Sequence, residues 1–441
     1  MSAERDTVGM GKVDLRSYAV VTGAYWADTI VDGATRLLVL FHFYNLGYTP
    51  FELASLFLFY EIFGIVTNLV GGWVAAKLGL RTTLVGGLCT QSVALSMLAF
   101  APTSWLVLPY VMISQALSGI AKDLTKMSSK SAVKLLVPDD AHGELYKWVA
   151  ILTGSKNALK GVGFFVGGLL LTVVGFHTSL IILLGLIVTA LIVVLTMTRG
   201  HLATPNPEAK FRGMFSNNRS VNILAAARVF LFASRDVWFV IGVPVFMESV
   251  LGWTFWQTGA FLAVWVIGYG IVQASAPNTM RRWSGADGPD GHTATWLAFV
   301  LATLPAAIAI GLDSGLSPAP TLVIGLIVFG VVFALNSAVH SFLILRYADG
   351  DKVAMNVGFY YMANACGRLA GTLLSGALYQ AGGLTWCLWA SSISVLIAGC
   401  LSLLLPRSDR ETGRRGHRAR GAVKGLEPQR TERPEHATGS G

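Results

Sequence analysis

The 441-residue sequence predicts an all-α polytopic membrane protein with twelve transmembrane helices in two pseudo-symmetric six-helix halves. Three observations predict this. Twelve apolar stretches are long enough to cross a bilayer, the loops between them alternate between basic and non-basic, and a pattern in the first half returns in the second.

The bulk composition agrees. Hydrophobic residues make up 54% of the chain, charged residues 13%, and the mean hydropathy is +0.60. A soluble domain carries about a quarter charged residues. The net charge of +9 does not point to nucleic acid, because nine of the 33 Lys and Arg fall after Pro406 and most others sit in short loops. Nucleic-acid binding wants a basic, soluble face. The first apolar run, from near Tyr18, exceeds a signal-peptide core and is expected to remain as a membrane helix. The cysteines Cys89, Cys366, Cys387 and Cys400 lie in apolar runs without metal-ligand spacing, and are expected to be buried thiols.

A helical span needs roughly 20 apolar residues. Candidate spans start near residues 17, 50, 82, 104, 146, 176, 221, 254, 293, 320, 354 and 384. The expected organisation is a cytoplasmic segment 1–16, a first bundle 17–198, a linker 199–220, a second bundle 221–406 and a disordered basic tail 407–441. Lys77, Arg81, the lysines between 122 and 147, Arg199 to Arg219, Arg281, Arg282, Arg346 and Lys352 all fall in alternate loops. The other six loops hold no Lys or Arg, so the positive-inside bias puts both termini in the cytoplasm. An inner-membrane location is expected.

The halves repeat. "LGYTPFE" (Leu46 to Glu52) returns as "LGWTFWQ" (Leu251 to Gln257), and "KGVGFFVGG" (Lys160 to Gly168) aligns with "RLAGTLLSG" (Arg368 to Gly376). Lys160 thereby meets Arg368, Gly163 meets Gly371 and Gly168 meets Gly376. Small residues at this spacing let helices approach closely and would tune a moving interface. Parallel six-helix repeats with a site at their interface resemble the major facilitator architecture. "GGWVAAKLGLR" resembles that superfamily's gating loop, with Gly72, Lys77, Gly79 and Arg81 in place and Ala76 where an acid is usual.

Charges inside a membrane are costly and usually face a pathway. Here they are mainly basic: Arg36, Lys156, Lys160, Arg228, Arg235 and Arg368, with Lys122 and Lys126 entering from the fourth span. Lys122, Lys126, Lys130 and Lys134 form a ladder of like charges four residues apart, a spacing that repels on a helix. The first two are read as reaching the cavity, the last two as lipid-headgroup anchors. Lys156 and Lys160 either snorkel or face the cavity. Such an inventory suits an anion with more than one charge, since Arg forks match phosphate-like groups and Lys acts as a point charge. Of the acids, Asp32 is expected to pair with Arg36 along one helix, and Asp236 with a nearby Arg. Asp28, Asp32 and Glu61 are the proton-coupling candidates. His340 is read as a satisfied structural group, and Trp253, Trp256 and Trp265 as packing or an interfacial belt.

No HExxH, GxSxG, P-loop or metal-spaced cluster is present, so the sequence predicts neither an enzyme nor a catalytic, metal or cofactor site. A basic cavity also argues against a drug exporter for cations, and the unclustered cysteines against export of trivalent arsenic.

Several blocks resemble the ArsJ-type organoarsenical efflux permeases: "SGIAKDLTKMSSKSAVKLLVP", "LTGSKNALKGVGFF", "LFASRDVWFV", "VWVIGYGIVQA" and "FGIVTNLVGGW". The resemblance runs from about Tyr18 to Leu405. It implies export of 1-arseno-3-phosphoglycerate, which glyceraldehyde-3-phosphate dehydrogenase makes when arsenate replaces phosphate, and hence a functional partnership with that enzyme. Under this reading Arg36, Lys122, Lys126, Lys156 and Lys160 take one charged end of the substrate, and Arg228, Arg235 and Arg368 the other. The alternative is an organophosphate or organic-anion antiporter of the same fold.

Overall fold

The computed structural model describes residues 15–136, 142–198, 218–284, 289–347 and 353–406. Residues 1–14 of the expected N-terminal segment, nearly all of the linker and the basic tail lie outside the described residues, as do the side chains of Lys130 and Lys134.

Among the described residues the chain is helical, with one short 3-10 turn and no strand. The first half comprises α1 (Leu15–Asn45), α2 (Pro50–Leu56), α3 (Leu58–Leu78), α4 (Leu80–Ala99), α5 (Leu108–Leu136), α6 (His142–Val174) and α7 (Phe176–Met197). The second comprises α8 (Arg219–Phe239), α9 (Gly242–Ser249), α10 (Phe255–Ser284), α11 (Gly291–Asp313), α12 (Pro318–Tyr347) and α13 (Val353–Ser402). α2 and α3 make one span, as do α8 and α9. α13 breaks at Gly382 and Gly383, whose φ of −155° and +67° are non-helical, and so supplies two. Twelve rods result among the described residues, as the sequence predicts. Helices are favoured because hydrocarbon leaves no other partner for backbone N–H and C=O groups.

Nine stretches among the described residues are long and apolar enough to cross a membrane by composition. α1 and α5 are not among them, since they carry Asp28, Asp32, Arg36, Lys122, Asp123 and Lys126. The fourth span begins at Leu108, later than the expected 104. Thr103–Trp105 forms the 3-10 turn, and Pro109 fits the first turn of α5, where its missing N–H costs nothing.

The repeated heptapeptides are helix-start signals. Gly47 and Gly252 sit at φ +85° and +66°, which glycine adopts without strain. Thr49 and Glu52 then close a capping box, with Thr49 N–H donating to Glu52 at 2.8 Å. Thr254 N–H donates to Gln257 at 2.9 Å in the same way.

These starts hold the halves together at the end of the bundle without basic loops. α6 packs on α10, and the first arm of α13 packs on α2 and α3. A Cβ on Gly168 would come within 2.5 Å of the Phe255 carbonyl, and one on Gly376 within 2.5 Å of the Ala54 Cβ. Pro50 and Phe255 are repeat equivalents, as are Gly168 and Gly376, so one contact occurs twice. Phe51 N–H also donates to Gln380 across the halves, at 3.2 Å. Gly163 and Gly371, by contrast, pack within their own halves, against α1 and α8.

The expectation of four buried cysteines is corrected: Cys387 is buried and Cys366 half-buried, but Cys89 and Cys400 are exposed. An apolar thiol on a lipid-facing surface needs no burial in protein.

Candidate functional site

A narrow chamber of about 50 Å³ lies between the halves. α1 and α6 supply Arg36, Lys160 and Phe164; α8 and α13 supply Arg235, Asp236 and Arg368. Ligand pockets run to several hundred Å³, so cargo enters only when the halves part. Beside the chamber the span of α8 breaks, because Pro244 has no N–H to continue the helix. The freed N–H groups of Ile241 and Gly242 donate to Ser375 Oγ, at 3.2 and 3.1 Å.

The four chamber cations come from both halves, and each meets a carboxylate. Glu61, fully buried on α3, accepts from Arg36 Nη1 through Oε1 at 3.1 Å. Its Oε2 accepts from Arg368 Nε at 3.1 Å and from Arg368 Nη2. Lys160 Nζ stands 3.8 Å from Asp32 Oδ2, and Arg235 Nη2 2.5 Å from Asp236 Oδ1. Aromatic faces hold these cations in place. Arg36 lies 5.0 Å from the centroid of Phe57 and 5.1 Å from that of Tyr60; Lys160 lies 5.7 Å from Phe164.

The expected Asp32–Arg36 pair does not form. Asp32 accepts from Tyr60 Oη at 2.5 Å and faces Lys160, while Arg36 turns to Glu61. Tyr60 and Lys160 take Asp32, and Glu61 takes Arg36, because the neighbouring helices bring these partners to each side chain. Asp236 does pair with an arginine, Arg235.

The remaining candidates lie elsewhere. Asp28 accepts from Thr125 Oγ1 at 2.5 Å. Lys126 pairs with Asp123 at 2.5 Å and donates to Asn68 at 2.6 Å, and Asp123 also accepts from Thr67 and Asn68. Lys122 Nζ sits 3.9 Å from the Tyr60 ring centroid, without a hydrogen-bond partner. Neither Lys122 nor Lys126 lines the chamber, and the half-buried Lys156, one turn before Lys160, does not either. Arg228 is buried two turns from Arg235 and donates to the Ser337 carbonyl at 3.1 Å.

In the gating loop Gly72 belongs to α3, Lys77 lies 4.9 Å from the centroid of Trp73, and Gly79 turns the chain at φ +85°. Arg81 donates to Thr198 Oγ1 and to the Leu195 carbonyl, tying α4 to the end of α7. Trp265 is packing, buried and donating to the Leu326 carbonyl, whereas Trp256 is exposed. His340 is not the satisfied group expected: it is fully buried with neither ring nitrogen hydrogen-bonded.

Tyr60, Thr125, Thr67 and Asn68 escaped the sequence reading. Uncharged residues in apolar runs give no signal until a neighbouring helix brings a charge to them.

The model of the Major Facilitator Superfamily matches residues 21–312 and 290–434. Similar solved structures include a POT family transporter in complex with thioalcohol conjugated peptide, and one in complex with 5-aminolevulinic acid. Each is 14% identical with a TM-score of 0.72, covering 88% of this chain and 96% of the other. A mutant peptide transporter POT in complex with sulfate is 15% identical with a TM-score of 0.70, over 90% of this chain and 95% of that one. No curated protein matches the sequence.

Proposed function

The chain belongs to the Major Facilitator Superfamily, and we propose that it exports an anionic organoarsenical, 1-arseno-3-phosphoglycerate, by alternating access. It is a multi-pass membrane transporter and not an enzyme. The observation that carries an anionic cargo is the chamber itself. Arg36 and Lys160 from one half and Arg235 and Arg368 from the other face one space, with Glu61 bridging two of them. A substrate with a phosphate at one end and an arsenate at the other would take one cation pair at each end. The resemblance to ArsJ-type permeases supplies the arsenic. The chamber lining supports the charge.

In this reading the arriving oxyanion replaces Glu61 on Arg36 and Arg368. Glu61, released, takes a proton and couples export to the gradient. Among Asp28, Asp32 and Glu61, it is the acid bonded to chamber cations of both halves. Residues 17–198 and 221–406 rock as two bodies joined by the 199–220 linker, in an inner membrane with both termini cytoplasmic. The loop of Gly72, Lys77, Gly79 and Arg81 gates the inner side. A cytoplasmic glyceraldehyde-3-phosphate dehydrogenase supplies the cargo.

The test uses everted membrane vesicles given glyceraldehyde-3-phosphate, NAD, arsenate and the dehydrogenase, with each component omitted in turn. Trapped arsenic that requires the enzyme and all its substrates supports the reading. Trapping from arsenate alone makes the protein an oxyanion carrier. No trapping ends the arsenic reading and leaves the organophosphate or organic-anion antiporter, which the same vesicles test with a labelled organophosphate.

A further inference from the structure

Arg228 lies apart from the chamber, seven residues from Arg235 and so about 10 Å along the helix. It is 4% exposed, and among the described residues no carboxylate stands within ion-pair distance of it. Nη1 donates to the Ser337 carbonyl, while Nε has no hydrogen-bond partner. The guanidinium lies over two rings, 4.1 Å from the centroid of Phe232 and 4.8 Å from that of Tyr360.

The facing side of α12 is equally unsatisfied. Asn336 and His340, one turn apart, are both fully buried. Neither amide atom of Asn336 and neither ring nitrogen of His340 has a hydrogen-bond partner. His340 lies within the field of Arg228. Ser337, between them, touches Tyr269 Oη at 3.3 Å and Gln273 Nε2 at 3.5 Å. Gln273 in turn accepts from Asn157 of the first half at 3.4 Å, so the cluster is in contact with both halves.

A lone buried cation is costly, and leaving polar groups unpaired beside it adds to the cost. Arg36, Arg368, Lys160, Lys126 and Arg235 each meet a carboxylate, from Glu61, Asp32, Asp123 or Asp236. At Arg228 it supplies none, but it places amide and imidazole nitrogens nearby that can donate to the same acceptor. A guanidinium with such donors recognises a phosphate-like oxyanion group.

We propose that Arg228, Asn336 and His340 form a second anion station, separate from the chamber, that takes one phosphate-like group. It does not depend on arsenic in the cargo. Substrate or counter-anion would occupy it alongside the chamber, and Asn157 would register its occupancy in the first half.

Equilibrium dialysis of the purified full-length protein against radiolabelled inorganic phosphate tests this. The wild type is expected to bind two phosphates per chain. Arg228→Gln is expected to bind one, and Arg36→Gln to retain the Arg228 site. His340→Glu, which gives Arg228 an internal counter-anion, keeps the fold and also lowers the count to one. One phosphate lost only in Arg36→Gln overturns the second station and leaves the chamber reading standing. One phosphate lost only in the Arg228 and His340 variants supports the station and counts against the chamber. No phosphate binding by the wild type, or binding indifferent to Arg228 and His340, overturns the inference.

Discussion

Arg368 of the second half and Glu61 of the first share a two-nitrogen ion pair: Nε and Nη2 of Arg368 both donate to Glu61 Oε2. Glu61 Oε1 takes Arg36 from its own half. One carboxylate therefore ties together the two walls of the chamber. Whatever replaces it must be an anion able to engage two guanidinium groups, which is the physical basis of the proposed coupling.

Glu61→Gln leaves both arginines without a counter-charge. Breaking a buried pair costs about 3–5 kcal/mol, so the melting temperature of the purified protein should fall. Phosphate should then raise the melting temperature of the variant more than that of the wild type, because its competitor is gone. Equal shifts in a thermal-unfolding titration would count against displacement of Glu61.

Neutralising a chamber cation removes a charge-assisted contact with the cargo. A hydrogen bond to a charged group contributes about 1.5–3 kcal/mol, which is roughly 10- to 150-fold in affinity. Lys160→Gln and Arg235→Gln should each raise the vesicle KM for the cargo by that order. Lys126→Gln should leave KM within about twofold, since Lys126 serves Asp123 and Asn68 instead. A larger effect at Lys126 than at Lys160 would move the site toward α5.

Tyr60→Phe removes the hydroxyl that donates to Asp32 at 2.5 Å. Asp32 then depends on Lys160, drawing that ammonium away from the cargo. The expectation is a loss of about 1–3 kcal/mol in stability, read by chemical denaturation, together with a raised KM. If Lys160→Gln is already present, Tyr60→Phe should add nothing to KM; full additivity in a double-mutant cycle would refute the link.

Closure at the end without basic loops rests on Gly168 and Gly376. Leucine at either position meets backbone of the facing helix, and overpacking of this kind costs about 1–3 kcal/mol. Gly376→Leu should hold the Gly376–Pro50 and Gln380–Phe51 contacts open. A cysteine at Ser55, which is half-buried beside those contacts, should then react faster with a membrane-impermeant maleimide added from that side. An unchanged rate would show that the seal lies elsewhere.

Much of this architecture is legible in the chain. The apolar runs and the alternating basic loops specify twelve spans, and "LGYTPFE" with "LGWTFWQ" shows the repeat because a glycine turn and a threonine cap are local chemistry. The double glycine of "QAGGLT" likewise marks the break inside α13. The candidate cations were legible as residue types too, since a charge in an apolar run stands out whatever surrounds it.

Pairing was not legible. Asp32 and Arg36 have ideal spacing for each other, yet Asp32 meets Tyr60 and Lys160 while Arg36 meets Glu61. Sequence spacing describes one helix, whereas partner choice depends on how each helix is rotated toward its neighbours, and that is fixed by contacts such as Gly33 on the Lys160 backbone. The sequence by itself determined the membrane class, the span count, the repeat and the excess of positive charge, all of which arise from local composition and period. Only the tertiary structure decided that Arg36, Lys160, Arg235 and Arg368 share a chamber while Arg228 stands apart, because burial and electrostatics act between residues more than 300 positions apart, as Glu61 and Arg368 are.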